Sequence, residues 1–349
     1  GEYKVMGLAP YGKSIYKELI LKNLIDLKDD GSFRLNMSYF NFATGLTMTN
    51  KKFEDLFGQP VRKSEKDLLS QFHMDIAASI QAVTEEIVLK LSRSIASEYK
   101  TKNLCMAGGV ALNCVANGKI LKEKIFDKIW IQPAAGDAGG SLGAALGYWH
   151  DVLKNKRIIN AFDSMKGSYL GPKFENNYIE KQLKLLNANY KKYSENEIID
   201  ILAKELSEKK TAGWFQGRME FGPRALGARS ILADPRSVKM QKELNLKVKF
   251  RESFRPFAPS ILYEEVRNWF ELNESSPYML LVANVKKKMQ IPMTVEQKNL
   301  FGIDKLNIKR SNIPSVTHVD YSARVQTVHQ DTNPKYYKLL KKFNELTSC

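Results

Sequence analysis

Two stretches of this chain share one pattern, and that pattern restricts the fold more than any other feature. Asn103-Leu104-Cys105-Met106-Ala107 reads as a short buried strand, breaks at Gly108-Gly109, and continues as a helix through Ile120. Lys128-Ile129-Trp130-Ile131 reads as a second strand, breaks at Gln132-Pro133, and runs through Ala134-Ala135-Gly136-Asp137-Ala138-Gly139-Gly140 into a helix ending near Trp149. Strand, glycine break and helix, twice over, define an α/β protein with functional loops at the C-terminal ends of its strands.

The flanking regions are less regular. Residues 1–70 are mixed: MGLAPYGK reads as a loop, Tyr16 to Leu27 as a helix, and Phe33–Phe42 as short strand-like pieces. Ile76, Ile80, Val83, Ile87, Leu91 and Ile95 recur at spacings of three and four, so a helix is expected over 73–99. A second α/β region follows a polar, lysine-rich stretch. Helices are expected over 195–208, 239–248 and 335–346, with a strand at Thr211–Phe215. A chain of 349 residues has room for two domains. The boundary is placed near 165, giving domains 1–165 and 166–349.

Composition narrows the function classes. No apolar run approaches the roughly 20 residues that span a bilayer, and the first residues lack the pattern of a signal peptide. A cytoplasmic protein without a membrane partner is expected. The net charge of +16 invites an anionic partner. Most lysines are scattered or in short runs such as Lys286-Lys287-Lys288, as on a solvated face, so charge alone does not argue for RNA. Cys105 and Cys114 lie in apolar surroundings and read as buried thiols; Cys349 completes an odd count of three.

Four stretches carry candidate chemistry. In Gly108-Gly109-Val110-Ala111-Leu112-Asn113, paired glycines open the backbone to an anion at a helix start; the alternative is a tight turn without a ligand. In Gly136-Asp137-Ala138-Gly139-Gly140-Ser141, Asp137 either caps the helix beginning near Gly139 or ligates a cation. The third stretch, GWFQGRMEFGPRALGARSILADPR, holds four arginines and four glycines in residues 213–236, and VKFRESFRPF follows. Arginine's planar fork matches phosphate oxygens and keeps its charge. Between Arg218 and Arg255 there are six arginines plus Lys249, on loops punctuated by Gly and Pro and threaded with Phe221, Leu226, Phe254 and Phe257. The reading is a phosphate or nucleotide site; the alternative is a buried network with Glu220, Asp234 and Glu252. In the fourth, THVDYSARVQ, a strand would put His318 and Asp320 on one face, with Arg324 near the anion site. His73 and His150 fall at helix ends and read as structural.

Taken together and in order, VMGLAPYGK, AGGVALNCVANGKI, QPAAGDAGGSLGAAL, GRMEFGPRALGARSILADPR, VKFRESFRPFAPSIL and THVDYSARVQTV resemble the NodU/CmcH-type (TobZ-like) carbamoyltransferase family over nearly the whole chain. The resemblance implies the C-terminal half of an actin-like ATPase (ribonuclease-H-like) domain followed by a YrdC-like α/β domain. It implies ATP and carbamoyl phosphate as substrates of a carbamoyladenylate-forming step. Transfer to a hydroxyl of a small-molecule or glycan acceptor follows, assisted by iron(II) or a similar divalent metal. Carried over by position, Asp137 is implied as a metal ligand, and Gly108, Gly109 and Asn113 as the nucleotide loop, which Gly139 and Gly140 extend. Arg224, Lys249 and Arg255 are implied as the basic residues that act on carbamoyl phosphate and the ATP phosphates, with Arg218, Arg229 and Arg324 in the same pocket.

Family members begin with a longer segment carrying an HHxxHA-type motif and continue into an LLNTSFN-like strand, so a fragment is expected here, with exposed apolar surface or a homodimer that covers it. Transfer to tRNA, and a non-catalytic nucleotide-binding fragment, are the alternative readings.

Overall fold

The computed structural model describes residues 2–63, 65–159 and 163–349. In chain order the elements are α1 (Glu2–Leu8), α2 (Lys17–Asn23), β1 (Ile25–Leu27), β2 (Phe33–Leu35), α3 (Lys51–Phe57), α4 (Gln71–Tyr99), β3 (Asn103–Met106), α5 (Cys114–Glu123), β4 (Lys128–Ile131) and α6 (Asp137–Gly147). After them come α7 (Asn176–Leu185), α8 (Glu195–Ser207), β5 (Thr211–Phe215), β6 (Arg229–Ala233), α9 (Met240–Glu243), β7 (Ser260–Leu262), α10 (Val266–Trp269), β8 (Leu281–Asn284), α11 (Val295–Lys298), β9 (Ser322–Val328) and α12 (Pro334–Thr347). The fold is mixed α/β with small sheets: pairs β1-β2, β3-β4 and β5-β6, and the three-stranded β7-β9-β8. Within the last, β7 runs parallel to β9 and β8 antiparallel.

Contacts divide the chain into two compact units. One comprises residues 1–104, 118–128 and 293–308; the other comprises 105–117, 129–292 and 309–349. The first unit is built on α4. Ile20, Leu24, Ile25, Phe57 and Val83 form its buried apolar cluster. The helix buries polar groups too, because they satisfy the backbone of the segment before α2. Asp75 accepts the Lys13 N–H at 2.7 Å, and the Ser79 hydroxyl accepts the Tyr16 N–H at 3.0 Å. The apolar positions singled out from spacing are therefore not all inward: Ile80 and Ile95 are each 38% exposed.

Three local expectations change in this unit. MGLAPYGK is not a loop, since α1 runs through Leu8 and a 3₁₀ turn covers Ala9–Tyr11. The helix expected over 16–27 stops at Asn23, and Ile25–Leu27 turns into a strand paired with Phe33–Leu35. Only Phe33–Leu35 of the 33–42 stretch is strand.

The second unit packs α8 and α12 around Ala203, Leu206, Trp214, Val328, Tyr336, Leu339 and Phe343. Its α8 begins on a reciprocal cap, Ser194 with Glu197. β5 and β6 form an antiparallel hairpin in which Trp214 pairs with Ser230. The glycine- and arginine-rich stretch is the connection of that hairpin, and β6 was hidden in the sequence because GARSILA carries no alternation. α6 has no buried residue, and beyond it Tyr148, Trp149 and Val152 are exposed.

Candidate active site

The hairpin connection, residues 216–228, is closely packed at two of its glycines. Gly222 and Gly227 have φ of +139° and +100°. Both are pressed against neighbours: a Cβ on Gly222 would meet the Pro133 carbonyl oxygen at 2.9 Å, and one on Gly227 the Tyr336 ring at 2.3 Å. Gly227→Ala is expected to destabilise the protein by about 2 kcal/mol or more, from strain and clash together; a denaturant midpoint equal to wild type would refute this packing. The carbonyl of Leu226 accepts from Tyr169 Oη at 2.7 Å and from Gln326 Nε2 at 2.8 Å.

Arg224 sits near the middle of this connection. It is largely buried; its Nη2 donates to the Leu112 carbonyl at 3.2 Å, and its Nε has no hydrogen-bond partner among the described residues. Burial lowers its pKa first, Cys114 opposes that, and Arg255 adds to it. Arg324, on β9 opposite Val282, is partly buried, and its Nε, itself shielded from solvent, also has no hydrogen-bond partner among the described residues. Burial, and then the charges of Arg224, Arg251 and Arg255, push its pKa down to about 9; Cys114 opposes them. It stays charged at neutral pH.

Arg251 donates from Nε to Asn245 Oδ1 at 2.6 Å and stacks over Phe257 at 4.8 Å. Burial and Arg255 lower its pKa as well. Arg255 is 3.9 Å from Glu252, and its carbonyl accepts from Asn245 Nδ2 at 2.9 Å. Four guanidinium groups, Arg224, Arg251, Arg255 and Arg324, thus feel one another's charge with Glu252 as the acid beside them. Gathering cations away from water is unfavourable unless an anion joins them. Arg251 was counted in the sequence but not singled out; only the fold brings it to the cluster.

The other arginines have different surroundings. Arg218 is exposed and donates to the Gly171 carbonyl at 3.0 Å. Arg229 donates to the carbonyls of Glu220 and Gly222 at 2.9 and 2.6 Å. Arg236 grips Asp234 and lies over Phe343. The carboxylate network weighed as an alternative is real for Arg229 and Arg236. Lys249 is exposed just past the turn Leu244–Val248.

The Arg224–Leu112 bond brings the first glycine loop to the cluster. The Gly108 N–H donates to the Ala135 carbonyl at 2.8 Å, tying the two glycine breaks together. Gly108, Gly109 and Gly140 face open space, whereas a Cβ on Gly139 would strike the Ala134 oxygen at 2.1 Å, so Gly139 is there for close packing. Asn113 turns its Oδ1 to the Ala116 N–H at 3.1 Å, inside the first turn of α5. The buried Asn117 donates to the carbonyls of Ala111 and Leu280.

Asp137 is the first residue of α6, whose N-cap is Gly136. It is exposed. Among the described residues no group of three or more His, Cys, Asp or Glu is placed to hold a metal. One carboxylate does not make a transition-metal site, so the residues present do not fit a resident iron, and no step is derived through one.

Two expectations are corrected here. His318 and Asp320 do not lie on a strand: they form a turn before β9, where Asp320 Oδ1 accepts from Ser322 N and Oγ and the His318 N–H bonds the Ser322 carbonyl. Buried Arg310 bonds the carbonyls of Thr317 and His318. Cys105 is exposed, because its strand has no buried residue; Cys114 is buried as expected. His73 closes the cap of α4 with Ser70, as its position at a helix end implied.

Arg224 on the hairpin connection, Arg324 on β9, and Arg251 and Arg255 in the segment before β7 gather four guanidinium groups in one unit. The chain belongs to the carbamoyltransferase family: residues 1–146 match Carbamoyltransferase N-terminus and 203–349 match Carbamoyltransferase C-terminus. It is 60% identical over its whole length to an uncharacterized protein of Synechocystis, covering 57% of that protein. It is 36% identical to the nodulation protein NolO of Bradyrhizobium diazoefficiens, over 99% of this chain and 58% of that one. Nodulation protein U of the same organism is 28% identical over 93% of this chain and 50% of its own length. The chain therefore spans about half the length of the relatives it matches. No helix among the described residues is long and apolar enough to cross a membrane.

Proposed function

We propose that this chain carries the carbamoyl-activating site of an ATP-dependent carbamoyltransferase. Carbamoyl phosphate and ATP, with one water, yield carbamoyladenylate, inorganic phosphate and pyrophosphate. The carbamoyl group then passes to an acceptor hydroxyl, AMP leaving as the new C–O bond forms. The acceptor class is a small molecule or glycan. On this reading residues 166–349 are YrdC-like and 1–165 part of an actin-like domain.

The observation that carries the reading is the half-buried arginine cluster, with Arg324 Nε left without a hydrogen-bond partner among the described residues. Both substrates bring phosphate charge together, and attack at the α-phosphorus spreads more over its oxygens. Fixed guanidinium groups hold the reactants and stabilise that charge without reorganising. Arg224, Arg255 and Arg324 are assigned to the carbamoyl phosphate and triphosphate oxygens, Lys249 and Arg218 to the outer phosphates, and the uncrowded backbone at Gly108, Gly109 and Gly140 to the nucleotide.

The test is pyrophosphate release from ATP by the chain, with and without carbamoyl phosphate. Release that requires carbamoyl phosphate is expected. ATP binding without release would replace this reading with a nucleotide-binding module, and tight, salt-sensitive tRNA binding would replace it with RNA modification.

A further inference from the structure

Glu220, one of the two acids in the arginine-rich stretch, faces Arg229 and backbone N–H groups of its own hairpin connection. Glu220 is 3% exposed. Its Oε1 accepts the Leu226 N–H at 2.5 Å and the Ala228 N–H at 2.9 Å. Its Oε2 lies 3.5 Å from Arg229 Nε. Arg229 spends its remaining fork on the Glu220 carbonyl at 2.9 Å and the Gly222 carbonyl at 2.6 Å. These bonds tie the chain on both sides of Pro223-Arg224-Ala225: Glu220 and Gly222 before Arg224, Leu226 and Ala228 after it.

We propose that Glu220 and Arg229 form an internal clamp that positions Arg224, so that Arg229 acts as a positioning residue and not as a phosphate ligand. A fixed guanidinium is worth more to an anion than a mobile one, because the cost of ordering it is met during folding. The clamp also removes the opposite charge from reach of the cluster. Glu220 satisfies backbone donors that an anion would otherwise attract, and Arg229 absorbs the charge of Glu220.

The proposal rests on Arg224 being an anion-binding residue, as read above, and the experiment separates the two. Carbamoyl phosphate affinity is measured by calorimetry for wild type, Glu220→Gln, Arg224→Ala and the double variant. Glu220→Gln keeps an acceptor oxygen but loses the charge facing Arg229. It is expected to weaken binding about tenfold alone and less than about twofold in the Arg224→Ala background, since a residue acting through Arg224 has nothing left to act on. Equal losses in both backgrounds, or a wild-type affinity in Glu220→Gln, overturn the clamp.

A wild type that binds no carbamoyl phosphate sinks the anion-site reading instead. The clamp is then judged on the Arg224 Nε–H resonance, expected to exchange with water faster in Glu220→Gln; an unchanged rate overturns it. Should Glu220→Gln fail to fold, Arg229→Lys takes its place, because lysine keeps the charge but cannot span Glu220 and two carbonyls.

Discussion

Arg224→Ala removes carbamoyl-phosphate-dependent pyrophosphate release, with a loss of at least about 10²–10³-fold, or about 2.7–4 kcal/mol, the range for deleting one preorganised donor to a developing anion. The expectation follows from the surroundings of the side chain. Arg224 is held by one carbonyl, Leu112, while its Nε has no hydrogen-bond partner among the described residues. Its Nε is thus without a hydrogen-bond partner among the described residues, in contrast to Nε and Nη2 of Arg236, which are engaged with Asp234. Arg224→Lys is expected to recover little, since an ammonium cannot bridge the Leu112 carbonyl and a phosphate with the same planar fork. The assay is pyrophosphate release at saturating ATP over a range of carbamoyl phosphate. Arg236→Ala serves as the control for lost structure: it should lower stability without a selective loss of release. Unchanged release in Arg224→Ala would remove this arginine from the site.

Arg324→Met is expected to act with opposite signs on stability and binding. In anion-free buffer the substitution removes a partly buried charge whose shielded Nε has no hydrogen-bond partner among the described residues. Replacing buried charge by an apolar side chain of similar volume is often stabilising by about 1–4 kcal/mol, and a gain in that range is expected. The same variant should lose carbamoyl phosphate affinity about 100-fold, because a charge-assisted contact in a water-poor site disappears.

The pH dependence has a definite sign. The pKa of Arg324 is pushed from 12.5 down to about 9 in the folded protein. The penalty of holding it charged is therefore complete below about pH 9 and fades above it, as the folded state releases the proton before the unfolded state does. The stability advantage of Arg324→Met should be constant from about pH 6 to 8 and shrink above about pH 9. Urea unfolding across that range, in chloride and then in phosphate, reads all three effects. A variant less stable than wild type in chloride would show that the charge already has a partner.

Much of the architecture was legible in local pattern. The strands at 128–131 and 211–215 and the helices at 71–99, 195–207 and 334–347 fall where periodicity and glycine breaks put them, because each follows from its own residues. The misreadings share a physical cause. The helix expected over 16–27 ended early because Ile25–Leu27 pairs with Phe33–Leu35, and β6 exists because β5 lies beside it. Strand pairing is decided across the chain and leaves little trace in short segments. The alternation His318-Val319-Asp320 is too short to distinguish a strand from a turn, and the structure makes it a turn.

By itself, the sequence determined that this is an α/β protein of the carbamoyltransferase family, and that fixed positive charge is concentrated in residues 218–255. Residue type and spacing carry that information. It could not say which arginines face a ligand, because six of them share one chemistry and one stretch. Tertiary structure made that division. It set Arg229 against Glu220 and Arg236 against Asp234, and gathered Arg224, Arg251 and Arg255 with the distant Arg324. The reason is electrostatic and geometric: whether a guanidinium is satisfied depends on the oxygens within about 3 Å of it, and those come from parts of the chain as far away as Leu112 is from Arg224, 112 residues.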